Sequence, residues 1–147
     1  MVSGYADSPM STATSLRPRE LSQAVAAVFV GGAVGTAMRD IILRFQAAPA
    51  THASWSAHIP WLLLAINAIG VFVATVLLSG PLRTQSPVGY LRLLLITGVL
   101  GGLTSYSSLF VAAGAMWHLS AVGAIGAVLG AVLSGVVAAW LGLRVAR

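Results

Sequence analysis

Cysteine and lysine are missing from this 147-residue sequence, and Asp7, Glu20 and Asp40 are its only three acids. Without cysteine there are no disulfides and no thiolate metal sites. With no acid beyond Asp40, the apolar runs that follow hold no carboxylate. An enzyme reading therefore fails for want of a nucleophile, base or metal cluster inside those runs. A proton-driven exchanger fails too, because such carriers usually place a titratable group in the bundle. His52 and His58 lie six residues apart in a loop rich in Ala, Ser and Pro, and read as solvent-facing rather than as metal ligands.

What the sequence does have is apolar length. It is 58% hydrophobic and 7% charged, with a mean hydropathy of +0.93, which fits one integral membrane domain and no soluble one. All eight basic residues are arginines, and they bring the net charge to +5. They stand singly at the ends of apolar runs, as membrane flanks do, and not clustered as in a nucleic-acid patch.

Residues 1 to 20 lack apolar periodicity and read as a short mobile tail ending in Arg17, Arg19 and Glu20. Leu21 to Met38 gives 18 uncharged residues. That exceeds the ~7 to 15 of a signal-peptide core, so the run at 21–38 is the first span. Gly31 and Gly35, four apart, would let another helix approach closely. Arg39, Asp40 and Arg44 follow, and Asp40 can pair with Arg44 if the helix continues that far. The second span is 59–82, 24 residues without a charge, with Trp61 in the aromatic belt. Its one strongly polar side chain is Asn67. An amide is costly to leave unpaired in hydrocarbon, so Asn67 must face another helix, as interhelical glue, or a pore.

Gly80, Pro81, Arg83, Pro87 and Gly89 mark a short loop. From Leu93 to Leu143 there are 51 residues without a charge, enough for two spans of ~20 to 25 residues. Trp117, His118, Leu119 and Ser120 divide them, giving a third span near 93–116 and a fourth near 120–143. Gly123, Gly126 and Gly130 are expected to form a close-packing face on the fourth. Four spans put both termini on one side. That side holds Arg17, Arg19, Arg83, Arg92, Arg144 and Arg147, against Arg39 and Arg44 opposite, so the termini are expected to be cytoplasmic.

Function is expected in the stretch TGVLGGLTSYSSLF at 97–110, which holds three glycines and five serines and threonines inside the longest charge-free run. Irregular polar backbone is tolerated at membrane depth only where protein or a water-filled cavity replaces lipid. The stretch therefore predicts a broken third helix. Gly101 and Gly102 permit the backbone angles that end a regular helix, and Thr104, Ser107 and Ser108 fall at helical spacing on one face. The freed carbonyls suit a hard monovalent cation, and neutral hydroxyls and amides suit a passive pore better than a pump. The plainer reading is that the small residues permit tight packing and their hydroxyls bond back to the preceding turn.

In three places the sequence resembles the small fluoride channels of the Fluc, or CrcB, family: GGAVGTAMRD at 31–40, the Asn67 and Gly70 pair within LLLAINAIGVF, and GVLGGLTSYSSLF at 98–110. The size, the four spans and the order of the motifs agree over nearly the whole chain after residue 20. The resemblance implies an all-α, four-helix membrane protein that forms an antiparallel dimer with two fluoride pathways near the subunit interface. It implies a structural sodium ion held by the backbone carbonyls of Gly101 and Thr104, an aqueous vestibule shaped by Arg39, and an anion pathway using the amide of Asn67. Passive fluoride export across the plasma membrane would be the function, with no nucleic acid involved.

The sequence also departs from the family pattern. Where phenylalanine is usual, Tyr106 keeps a ring with its positive edge and Leu109 keeps none, while Phe110 is one residue too late, a turn of ~100° on a helix. Ala127 and Ala131 stand where a tyrosine and a serine are frequent, and Leu62 and Leu63 replace a Gly-Thr pair. With the arginine bias, these changes point to pairing with an oppositely oriented homologous subunit, and a dual-topology homodimer is the alternative. Two other classes compete: a small multidrug exporter, which would call for an intramembrane acid that the spans lack, and a noncatalytic membrane scaffold.

Overall fold

The computed structural model describes residues 17–46, 58–86 and 89–147. The tail through residue 16 and the loop histidine His52 lie outside the described residues. Within them the chain is helical, without a strand. In order come α1 (Pro18–Leu43), α2 (Trp61–Ser79), the single turn α3 (Tyr90–Arg92), a π-helical segment (Leu93–Leu100), another single turn α4 (Gly101–Leu103), α5 (Tyr106–Trp117) and α6 (Ala121–Val145). Four stretches are long and apolar enough to cross a membrane: Pro18–Leu43, Trp61–Ser79, Tyr90–Trp117 and Ala121–Val145.

Helix α1 opens with Pro18 at its first position, where the missing N–H is not needed. The Arg17 N–H donates to the Glu20 carboxylate at 3.0 Å, which stops the end from fraying. Residues 18 to 20, assigned to the tail by composition, thus belong to the helix. At its other end α1 runs past Arg39 to Leu43, and Arg44 meets Asp40 at 2.8 Å. Both side chains are mostly exposed, so the pair contributes at most about 1 kcal/mol.

Backbone contact joins α1 to the third span. A Cβ added to Gly31 would overlap the Leu94 carbonyl oxygen, and one on Gly35 the Val99 carbonyl oxygen. From the opposite side, a Cβ on Gly98 would lie 2.8 Å from the Gly31 Cα. Lipid gives two helices no hydrophobic reason to associate, so van der Waals contact at this range is what holds them. Gly102 belongs to the same seam, facing the Gly32 carbonyl oxygen, and Gly101 keeps helical angles of φ −64° and ψ −37°. These two glycines therefore do not end the helix through unusual angles, contrary to expectation; Gly102 is small because α1 lies against it.

Helix α6 turns a stripe of small residues inward: Ala124, Ala127, Ala131, Gly135, Ala138 and Gly142 are all buried. At Gly142 an added Cβ would sit 2.8 Å from the Thr75 Cβ of α2. Gly123 is buried as well, but Gly126 and Gly130 face open space. Within the subunit the two do not pack as expected, since one residue turns a helix by ~100° and takes both off the stripe that carries Ala127 and Ala131. The interior is apolar in two clusters, Leu63 with Leu109 and Ala131, and Ala113 with Met116 and Ala124. Large apolar side chains cover the outside, Phe29 and Val122 among them, as a lipid-facing surface requires.

Candidate functional site

Between α4 and α5 two residues leave helical geometry: Thr104 has φ −83° and ψ 144°, and Ser105 has φ −153° and ψ 107°. Extended backbone at this depth needs hydrogen-bond partners from outside its own helix. Asn67 of α2, only 4% exposed, supplies both. The Ser105 N–H donates to Asn67 Oδ1 at 2.8 Å, and Asn67 Nδ2 donates to the Ser105 carbonyl at 3.2 Å. The amide thus pairs with the N–H and carbonyl of one residue as a neighbouring strand would. It keeps one N–H and one acceptor site for another partner.

Ser105 then caps α5. Its Oγ accepts the Ser108 N–H at 3.2 Å, and lies 3.0 Å from Ser107 Oγ and 2.9 Å from Ser108 Oγ. Two hydroxyls thus meet around the oxygen of a third. Thr104 does not join them, although spacing placed it on a face with Ser107 and Ser108. Being extended, it lies outside the 3.6-residue period of α5; its hydroxyl donates to the Leu100 carbonyl at 2.9 Å and its methyl rests where Gly70 has no side chain.

Sequence reasoning missed the central place of Ser105. A serine three residues before Ser108, ahead of an apolar run, is an N-cap signal that would have found it.

The other predicted residues divide between surface and core. Tyr106 is 44% exposed, and its hydroxyl lies 3.3 Å from where a Cβ on Gly135 would stand, so the bare glycine makes room for the phenol. Ser107 is exposed and Ser108 half-buried. Leu109 is 1% exposed and packs on Leu63 and Ala131, which separates it from the exposed hydroxyls. Arg39 is half-buried beside Asp40, whose carboxylate is engaged by Arg44. At Gly101 the residue four ahead is Ser105, whose N–H has gone to Asn67. The Gly101 carbonyl has therefore lost its helical donor.

Four helices able to span a membrane, with a neutral centre of amide, hydroxyls and extended backbone, define a multi-pass membrane protein. Among the described residues no group of three or more His, Cys, Asp and Glu could hold a metal, so a cation at this centre would rest on carbonyl and hydroxyl oxygens.

The chain belongs to the CrcB family: the model for "CrcB-like protein, Camphor Resistance (CrcB)" matches residues 26–143. It is 32% identical over 121 residues to the "Fluoride-specific ion channel FluC" of Chelativorans sp. (strain BNC1), covering 82% of this chain and 93% of that one. The protein of the same name from Stutzerimonas stutzeri (strain A1501) is 35% identical over 122 residues, with 82% and 94% covered. "Fluoride-specific ion channel FluC 1" of Cutibacterium acnes is 41% identical over 98 residues, 61% of each chain. Membership of a family of ion channels also means that the protein is not an enzyme.

Proposed function

We propose that this chain is a subunit of a fluoride-specific channel that lets fluoride leave the cytoplasm passively across the plasma membrane. The observation that carries the reading is the Asn67 to Ser105 pairing with the serine cluster built on it. A small anion holds its water strongly, and a bare charge in the membrane is costly. The spare N–H of Asn67, the hydroxyls of Ser107 and Ser108, and the ring edge and hydroxyl of Tyr106 replace that water with dipoles that bind no anion too tightly to release it. Arg39, with its neighbouring acid engaged by Arg44, draws anions to the vestibule. With both termini cytoplasmic and the inside negative, the membrane potential favours exit by about 2.3 kcal/mol per 100 mV for one charge.

The diverted N–H of Ser105 supports a structural sodium ion, since the Gly101 carbonyl needs a partner and an extended Thr104 turns its own carbonyl out of the helix. One subunit offers too few such oxygens, and an antiparallel second subunit doubles them. The buried Leu109, Leu63 and Ala131 leave Tyr106 and Ser107 as the polar surface of α5. A pathway along that surface needs a second wall, which a dimer provides. The six-to-two arginine bias favours an oppositely oriented homologue as the partner over a second copy.

Growth in fluoride tests the reading. In cells stripped of their own fluoride exporter, the chain, alone or with a homologous partner, is expected to restore growth, and Ser107→Ala is expected to weaken the rescue at unchanged membrane expression. Equal rescue by Ser107→Ala would remove the serine cluster from the pathway; no rescue in either setting would leave the scaffold reading.

A further inference from the structure

We propose that the cleft between the C-terminal ends of α2 and α6 binds the phosphate of an anionic phospholipid, with Arg83 and Arg147 as its ligands. The two helices touch tightly at Gly142, where an added Cβ would lie 2.8 Å from the Thr75 Cβ and 3.0 Å from the Phe72 carbonyl oxygen. Beyond that contact a cleft of about 440 Å³ opens, lined by Leu78, Ser79, Arg83, Leu143, Ala146 and Arg147. Each side contributes one arginine and an apolar residue, Arg83 with Leu78 and Arg147 with Leu143.

Among the described residues, no acidic side chain lines the cleft. Of the chain's three acids, Glu20 accepts from the Arg17 N–H and Asp40 holds Arg44, while Asp7 lies outside the described residues. Neighbouring arginines have other contacts: Arg92 donates to the Gln85 carbonyl at 3.5 Å, and Arg144 stacks over Trp140 at 4.6 Å. Arg83 and Arg147 flank a cleft whose leucines lie at the ends of charge-free spans, so it sits at the boundary where lipid phosphates lie. Basic pockets between spans on the arginine-rich side attract such headgroups. Free phosphate would meet the same guanidinium groups but make no use of Leu78 and Leu143. The competing role of the arginines is to offset the partial negative charge of two helix C-termini, which requires no ligand.

Native mass spectrometry of the full chain, released from micelles holding equal phosphatidylglycerol and phosphatidylcholine, separates these roles without reference to fluoride flux. The wild-type chain is expected to retain phosphatidylglycerol preferentially, the R83Q/R147Q double variant to lose that preference roughly tenfold, and R83K/R147K and R44Q to keep it. Should the double variant fail to fold, R83Q and R147Q singly are each expected to lower the preference about threefold. Equal retention of the two lipids by the wild type, or an unchanged preference in the glutamine variants, would overturn the proposal. Displacement of the bound lipid by excess inorganic phosphate would overturn the lipid as the occupant and leave a free-anion site.

Discussion

Asn67 uses both ends of its amide on one backbone unit, and that fixes what its replacement does. Asn67→Leu leaves the N–H and the carbonyl of Ser105 without partners in an apolar interior, at a cost of about 1–3 kcal/mol for each group. A clearly lowered unfolding temperature in detergent is expected, whatever happens to flux, so this variant alone does not separate a channel from a scaffold. Ser105→Ala keeps the pairing with Asn67, which is through backbone, and removes only the cap and the hub of the hydroxyl cluster. A smaller loss, about 1 kcal/mol, is expected from the cap. A Ser105→Ala chain less stable than Asn67→Leu would show that the cap, rather than the interhelical pairing, holds the junction. Ser107→Ala disturbs neither, because its hydroxyl is exposed and caps nothing.

At the scale of elements, glycine has two unlike uses here. Gly31, Gly35, Gly98 and Gly102 let α1 and the third span meet backbone to backbone, whereas Gly126 and Gly130 face outward into open space. Gly35→Val is expected to destabilise the chain by ~3 kcal/mol or more, since backbone must move to admit it. Gly130→Val is expected to leave the melting temperature within a degree or two. Equal melting temperatures for the two variants would refute the seam.

The contrast also marks how far the sequence could be read. The four-residue spacing of Gly31 and Gly35 was legible because a helix puts both on one face. The phase of α6 was not, because alanine, glycine and valine on all its sides give periodicity nothing to separate. Polar residues were legible where a single one stood alone in an apolar run, as Asn67 does. They were not where five neighbours from Thr104 to Ser108 compete, since two extended residues reset the helical phase and moved the hydroxyl cluster from Thr104 to Ser105.

The whole molecule distributes charge and polarity as a channel subunit would. Six arginines mark one membrane face and two the other, while the only charges of the spans lie toward their ends. Polar groups in the middle are neutral, and two hydroxyls away from the junction turn back on their own helices: Thr75 donates to the Val71 carbonyl and Ser134 to the Ala131 carbonyl. The densest group of hydrogen-bonding side chains lies at one level of the bundle, around Asn67, Ser105, Ser107 and Ser108. A scaffold gains nothing from leaving an amide N–H and a serine cluster at the edge of an apolar core, whereas an anion crossing that level needs them.

Fluoride efflux from liposomes tests the central claim most directly, with the purified chain reconstituted alone and, separately, with a homologous partner of opposite orientation. A fluoride electrode follows release, and chloride is the control anion. The account predicts release of fluoride and not of chloride in at least one of the two preparations. Folded protein that passes no fluoride in either, or passes chloride as readily, would contradict it.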